Sequence, residues 1–328
     1  MGRALVTGAS GFTGYHLCRA LTEKGYSVRA LVRTSSRIEK LRSLGIELVE
    51  GDLANPSSLD GIAKGMDKVF HIAALYRQEG VSKDLFFSVN KKGTQALLDE
   101  SAKAGVDRFI HCSTVGVQGE IKDPPARESA PYAPGDHYQV SKVEGEKLAL
   151  NYHRDGKIDV VVVRPVGIYG PGDTRFLKLF KFIHNGKFRM IGKGEALYHL
   201  TFVEDLVDGV IRAAETAAAS GQVYTLGGKE YLPLNRLVPL IAETLNKPVP
   251  KKRLPLWPVY LAAVACEAIC RPLGIEPPIY RRRLDFFTKD RAFDISKAQS
   301  ELGYDPKVPL KEGLLRTARW YISEGMLK

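Results

Sequence analysis

At 328 residues the chain is long enough for one large α/β domain and a smaller one, and 44% hydrophobic with 26% charged residues is the balance of a globular protein, not a disordered one. A net charge of +11 raises nucleic acid or an anionic membrane as partners, but the basic residues are dispersed apart from Lys251-Lys252-Arg253 and Arg281-Arg282-Arg283, and no nucleic-acid signature accompanies them, so no nucleic-acid partner is expected. The four cysteines and seven histidines show neither a disulfide framework nor zinc-ligand spacing, which predicts no metal site and a reducing, cytoplasmic compartment, and an N-terminus that goes directly into a strand leads to the expectation of no signal peptide.

The first predicted element is a strand, Ala4–Thr7, that runs into Gly8, Gly11 and Gly14. Gly8 lets the strand turn sharply, Gly11 lets the backbone approach a pyrophosphate, and Gly14 lets the next helix lie close on the sheet. That helix, Thr13–Lys24, would aim its free N–H groups at phosphates, so the loop reads as a dinucleotide site that includes Ser10, Phe12 and Thr13. A second strand, Val28–Val32, ends in Arg33-Thr34-Ser35-Ser36-Arg37, where NAD enzymes usually place an acid. Arginine among hydroxyls suits a 2′-phosphate, so NADP is favoured, with NAD as the alternative.

Further buried strands are predicted at Glu47–Glu50, Lys68–Ile72, Arg108–His111 and Asp159–Arg164. Between them lie helical patterns at Arg37–Leu44, Ser57–Ala63, Leu85–Ala104 and His137–His153. The alternation predicts an α/β fold, a doubly wound parallel sheet of Rossmann type with helices on both faces. After Pro165 the rhythm changes to a glycine-proline loop, helices at Phe176–His184 and Val203–Ala218, and a strand at Val223–Leu226. From Pro233 onward the chain reads as mainly helical. The expected division is a dinucleotide-binding domain of residues 1–166 and 199–227, and a smaller, mostly helical substrate domain of residues 167–198 and 228–328.

Leu254–Cys266 lacks charge for thirteen residues, short of the ~20 needed to span a bilayer, and has basic residues on either side. A buried or lid helix is the favoured reading. Membrane-surface contact is the sharper alternative.

Tyr138 and Lys142 stand four apart, on one face of a predicted helix. Alone the pair means little. Upstream, Cys112-Ser113-Thr114 closes the strand Arg108–His111, and in a parallel sheet the carboxyl ends of the strands form the ligand crevice. Glycine loop, strand-end hydroxyl and tyrosine–lysine helix in that order make a constellation.

With these residues the sequence resembles the extended short-chain dehydrogenases/reductases, which include sugar-nucleotide epimerases, dihydroflavonol reductases and 3β-hydroxysteroid dehydrogenases. The resemblance runs nearly end to end. Gly51-Asp52-Leu53 looks like the family's adenine-contacting turn, His71-Ile72-Ala73-Ala74 like the strand end beside the cofactor, and Asn90 like its helix asparagine. Arg164-Pro165-Val166-Gly167 opens a stretch that resembles the loop closing over the nicotinamide. Phe202–Leu206, Asp294–Ala298 and Glu301–Tyr304 match late signatures.

The resemblance implies a catalytic triad of Thr114, Tyr138 and Lys142, with Tyr138 as acid/base. It implies cofactor contacts from Asp52, Leu53, Ala73, Ala74, Asn90, Pro165 and Val166, besides the glycine loop, Arg33, Tyr138 and Lys142. Tyr76, Ser113 and Tyr198 are the expected substrate contacts. The physics agrees: a phenol with a pKa near ~10 is a poor base, and a neighbouring ammonium moves it toward working pH.

Two departures bear on the reaction. Val115 and Gly116 follow Thr114 where sugar-nucleotide dehydratases carry an Asp-Glu pair, which disfavours dehydration. Tyr198 stands where sugar-nucleotide enzymes carry a diphosphate-clamping arginine, with Lys193 or Arg189 as the substitutes within reach. The expectation is an alcohol–carbonyl oxidoreductase acting on a bulky alicyclic, steroid- or flavonol-like small molecule. An NDP-sugar 4-epimerase and a cofactor-sensing regulator without turnover are the alternatives. Folds of this kind commonly dimerise through the helices predicted at Leu85–Ala104 and His137–His153, and a homodimer is expected.

Overall fold

A computed structural model describes residues 2–76, 81–270, 272–275 and 277–327. The first half alternates strands and helices: β1 Arg3–Thr7, α1 Phe12–Glu23, β2 Ser27–Val32, α2 Glu39–Arg42, β3 Glu47–Glu50, β4 Lys68–His71, α3 Lys83–Phe87, α4 Thr94–Lys103, β5 Arg108–Cys112, α5 His137–Arg154 and β6 Val160–Pro165. Then come β7 Gly167–Tyr169, α6 Leu177–His184, β8 Met190–Ile191, β9 Leu197–Phe202, α7 Val203–Glu215, β10 Val223–Leu226, β11 Tyr231–Pro233 and α8 Leu234–Thr244. The chain finishes with β12 Arg253–Leu254, α9 Leu256–Cys270, α10 Arg281–Thr288, α11 Ser296–Leu302 and α12 Leu310–Ser323.

Seven strands form one parallel sheet in the order β10-β6-β5-β4-β1-β2-β3. Its strands are apolar throughout because both faces are covered. Ala4 and Val6 of β1 pack with Leu17 and Leu21 of α1 and with Val207 and Val210 of α7. Leu5 between them points to the other face, with Leu97 and Leu98 of α4 and Ala149 of α5. The strand order reverses at β1, so a crevice opens between the carboxyl ends of β1 and β4, where Thr7 lies beside His71.

The glycine turn is sterically necessary. Gly8 has φ +72°, and a Cβ there would lie 2.8 Å from the Ala73 nitrogen. A Cβ on Gly14 would run into the Gly8 carbonyl, so α1 can approach β1 this closely only with glycine at that position.

Beyond the large sheet, β7, β9 and β11 form a second, three-stranded sheet, and β8 pairs with β12. Helices α6, α8 and α12 close a separate core around Phe180, Ile241, Leu314 and Tyr321. These short strands lie where the sequence pattern shows only loops and helices.

The division between the two bodies therefore differs from the expected one. All of β9, including residues 199–202, belongs to the small sheet. Ile295, Ala298, Leu302 and Tyr304 return to the core of the large sheet, because α11 packs on α7 and β10.

Some predicted helices are shorter than the periodicity implies. Ser57–Ala63 reduces to a single tight turn over Pro56–Leu59, and Arg37–Leu44 to the four residues of α2. Leu85–Ala104 is interrupted between α3 and α4 by a widened π-turn, Ser88–Gly93. Gly93 sits so close to Leu53 that a Cβ would come within 2.5 Å of its carbonyl oxygen.

The largest departure is α9. Of its fifteen residues Ala263 and Glu267 are buried, Pro258, Val259, Cys266 and Cys270 are half-buried, and the other nine of this almost uncharged helix are exposed. It is not the buried helix that its composition favours.

Candidate active site

The crevice at the switch point has a volume of about 1080 Å³, room for a dinucleotide and a second molecule. Gly8, Ser10, Gly11, Phe12 and Thr13 form its floor. Gly11 is the N-cap of α1, and no side chain caps that helix end, so its positive end faces the crevice without an internal acceptor. Together with the backbone approach at Gly8 and Gly14, this is a cradle that fits a pyrophosphate.

Arg33, Asp52 and Leu53 line the end of the crevice beyond β2 and β3. The Arg33 backbone is pinned in a turn, its N–H donating to Ser36 Oγ at 2.9 Å. The guanidinium is exposed and has no carboxylate partner among the described residues. The nearby acid Glu50 is engaged by the hydroxyl of Thr34. Asp52 braces its own turn by accepting from the Ala54 N–H at 2.9 Å.

Ala73 and Ala74 follow β4, and a buried relay holds their backbone in place. The Ala73 N–H donates to Thr7 Oγ1 at 3.2 Å, and Thr7 Oγ1 lies 2.8 Å from His71 Nδ1. His71 Nε2 lies 2.8 Å from Thr94 Oγ1, whose hydroxyl donates to the Asn90 carbonyl at 2.9 Å. The chain is satisfied only if His71 is neutral with its proton on Nε2. Burial drives the His71 pKa down to about 3, with the Lys142 ammonium adding to the shift.

Tyr138 and Lys142 come from the buried face of α5. Asp136 caps this helix by accepting from the Gln139 N–H at 2.7 Å. Tyr76 and Phe86 hold the Tyr138 ring by edge-on contacts, with centroids 5.1 and 6.5 Å away. Lys142 donates to the Cys112 carbonyl at 2.7 Å, which fixes it at the end of β5 on the crevice wall. Burial lowers its pKa. Thr114, after β5, accepts from the Gly116 N–H at 3.1 Å and keeps its own proton to donate. Thr114, Tyr138, Lys142, Pro165 and Val166 all line the same crevice.

Three of the expected contacts are engaged by partners within the protein. Asn90 is 1% exposed and lies behind the crevice wall. It clamps Leu75 through both N–H and C=O, at 2.7 and 3.1 Å, and reaches Ser141 of α5 at 2.9 Å. It therefore braces the loop after β4 against α5, an aim that the π-turn makes possible. Ser113 lines the crevice but gives its hydroxyl proton to buried Glu146, so that proton is not available to a substrate. Tyr198 is buried on β9, and its hydroxyl accepts from Arg291 at 2.5 Å.

Arg291 itself lines the crevice, together with Arg175, Arg282 and Lys289, and Asp285 stands among them. Arg189 instead donates to the Gly186 and Phe188 carbonyls. The guanidinium that meets Tyr198 at the crevice thus comes from after α10. It could be found in the sequence only as a charge inside the run Phe287–Asp294.

A buried ion pair also escaped the sequence reading. Arg164 Nη2 lies 2.5 Å from Glu146 Oε1, with side chains 3% and 0% exposed, and Tyr132 donates to the same oxygen at 2.8 Å. An arginine at the end of an all-valine strand, and a glutamate one turn beyond Lys142, were the available signals.

Residues 4–227 match the NAD dependent epimerase/dehydratase family. A sterol-4-alpha-carboxylate 3-dehydrogenase, decarboxylating, from Mus musculus is 31% identical over 97% of this chain and 90% of its own. The crystal structure of gox2253 superposes with a TM-score of 0.86 at 30% identity, covering 100% of both chains. A UDP-glucuronic acid 4-epimerase from Bacillus cereus, in complex with NAD, does so with a TM-score of 0.78 at 27% identity over 99% of this chain and 100% of its own. With a glycine cradle, a Tyr–Lys helix and a strand-end threonine in one crevice, the chain belongs to the NAD dependent epimerase/dehydratase family of extended short-chain dehydrogenases/reductases, and it is an enzyme of that NAD(P)-dependent family.

Proposed function

We propose that the protein interconverts an alcohol and a carbonyl on a bulky alicyclic substrate and prefers NADP. The observation that carries this reading is the convergence of Thr114, Tyr138 and Lys142 on one crevice beside aromatic side chains, Tyr76 and Phe176. The nicotinamide, when bound, supplies or accepts the hydride. Tyr138 gives the proton to the carbonyl oxygen in reduction and takes it back in oxidation. Lys142 holds positive charge one helical turn away, which favours the phenolate in the oxidation direction. Thr114 donates a hydrogen bond to the same oxygen. Arg33, exposed at the adenosine end without an acid partner, supports the 2′-phosphate preference.

The test is reduction of steroid-like and flavonoid-like ketones, followed by loss of reduced-nicotinamide absorbance with each cofactor. Turnover with NADPH on such ketones supports the reading; its absence across the set, with cofactor bound, counts against it.

A second reading is favoured by one observation. Arg291, which donates to the Tyr198 hydroxyl rather than to a carboxylate, brings a guanidinium to the crevice that suits a diphosphate, as a nucleotide-sugar 4-epimerase requires, while Arg282 and Lys289 beside it are ion-paired to Asp136 and Asp285. Calorimetry with UDP- and dTDP-sugars separates the two. Millimolar or weaker binding supports the alicyclic substrate, and micromolar binding supports the epimerase.

A further inference from the structure

We infer that α9 and the stretch after it form a docking surface for an anionic lipid membrane. The helix turns its polarity inside out. Its single charged side chain, Glu267, points inward and receives Arg281, whose Nη2 lies 2.9 Å from Glu267 Oε2, while its largest apolar side chains are exposed. Trp257 is 69% exposed, Leu261 56%, Ile269 64% and Leu273 66%. Ile275 and Ile279 extend the patch beyond the helix. A helix whose outward face is apolar and whose inward face carries the charge is built for a non-aqueous neighbour.

Charge complementarity selects that neighbour. The β8–β12 ribbon at the start of α9 exposes Lys193, Lys251, Lys252 and Arg253. Trp257 and Tyr260 follow directly, and such amphipathic rings sit where headgroups meet acyl chains. A second copy of the chain would bring the same basic edge to the contact, whereas anionic headgroups supply the opposite sign. No helix among the described residues is long and apolar enough to cross a membrane, so this surface lies on the bilayer.

The surface also adjoins the crevice. Helix α10 packs on α9, and Arg282, Asp285 and Lys289 of that segment line the crevice. A membrane under α9 therefore brings the crevice rim near the interface, from which a lipophilic substrate could enter. Docking itself does not depend on which substrate the crevice takes.

The experiment is sedimentation of the full chain with vesicles of phosphatidylcholine alone or mixed with phosphatidylglycerol. Brominated lipids then report on Trp257 in a Trp320→Phe background. The expected result is binding that strengthens at least about tenfold with the anionic lipid and weakens with salt, with Trp257 quenched. Lys251→Glu with Lys252→Glu should remove most of that lipid preference, and Leu261→Asp with Ile269→Asp should abolish binding without lowering Tm. Failure to bind either vesicle, or binding without quenching of Trp257, overturns the proposal. A dimer that Leu261→Asp dissociates, with no vesicle binding, assigns the face to a second copy and also overturns it. Carbonyl reduction in solution is measured separately. An active enzyme that ignores vesicles refutes docking alone, and an inactive one that binds them refutes only the assigned reaction.

Discussion

Helices α5 and α9 are of similar length and are built by opposite rules. Five of the eighteen residues of α5 are charged, yet it buries Lys142 and Glu146 against the sheet. Helix α9 has one charged residue, which is buried, and nine of its fifteen residues are exposed. Composition therefore does not decide which helix is inside. Helix α5 can bury charge because each group meets a fixed partner: the Cys112 carbonyl of β5 for Lys142, and Arg164 of β6 with Tyr132 of the preceding loop for Glu146. Among the described residues, the helix that packs on α9 is α10, and nine of the fifteen α9 positions stay exposed. The first arrangement serves precise placement of a reacting group, and the second leaves a surface for something else to cover.

The comparison is sharpest at Tyr138. The ring is fixed on α5 by its neighbours, so Tyr138→Phe should keep fold and cofactor affinity while removing the proton donor. Turnover on an identified substrate should fall about 10²–10⁴-fold. Calorimetry of cofactor binding beside steady-state kinetics checks this, and a variant that keeps most of its activity removes Tyr138 from the acid/base role.

Burial with partners predicts a large cost when one partner goes. Glu146→Ala leaves the Arg164 guanidinium uncompensated in the interior and should lower stability by about 3–5 kcal/mol. Trp257→Ser on exposed α9 should change it by less than about 0.5 kcal/mol. Denaturant unfolding of both variants tests the pair together. Equal effects would mean that α9 is as integral to the fold as α5.

The same contrast marks what could be read in the sequence. Gly8, Gly11 and Gly14, the six early strands and the Tyr138–Lys142 spacing are local patterns, legible because their physics acts within a few residues. Asn90, Ser113 and Tyr198 could be placed near the crevice, but not as what they are. Each is turned by a partner distant in sequence: Leu75 and Ser141, Glu146, and Arg291. The outward face of α9 was illegible for a related reason, since a helix that is apolar all round has no periodicity to say which side meets protein.

Buried histidines on the sheet predict a pH limb. His71 is held neutral with a folded pKa of about 3, and burial pushes that of His111 well below the ordinary value. Unfolded, both take up protons near pH ~6.5, so the unfolded state binds more protons below that point. Stability should therefore fall as pH drops through the window from about 6.5 toward 3, at about 1.4 kcal/mol per unit for each such histidine. Among the described residues neither ring nitrogen of His111 has a hydrogen-bond partner, so His111→Leu should shed its share of the slope at little cost near neutrality. Unfolding free energies measured across that range would show an unchanged slope if His111 stays protonated when folded.

The smallest expected effect on function is at the exposed end of the crevice. Arg33 sits on a pinned turn with its guanidinium in solvent, so a charge change there alters recognition without disturbing packing. Arg33→Asp converts attraction for a 2′-phosphate into repulsion and offers an acceptor to ribose hydroxyls instead. Solvent screens the site, which limits the change to about ten- to a hundredfold in the NADP/NAD affinity ratio, mostly through weaker NADP binding. Tyr138 and Lys142 lie at the other end of the crevice, so turnover at saturating NAD should be unaffected. Titration of both cofactors into wild type and variant measures the ratio. If it does not move, Arg33 does not face the ribose, and the preference for NADP loses its support.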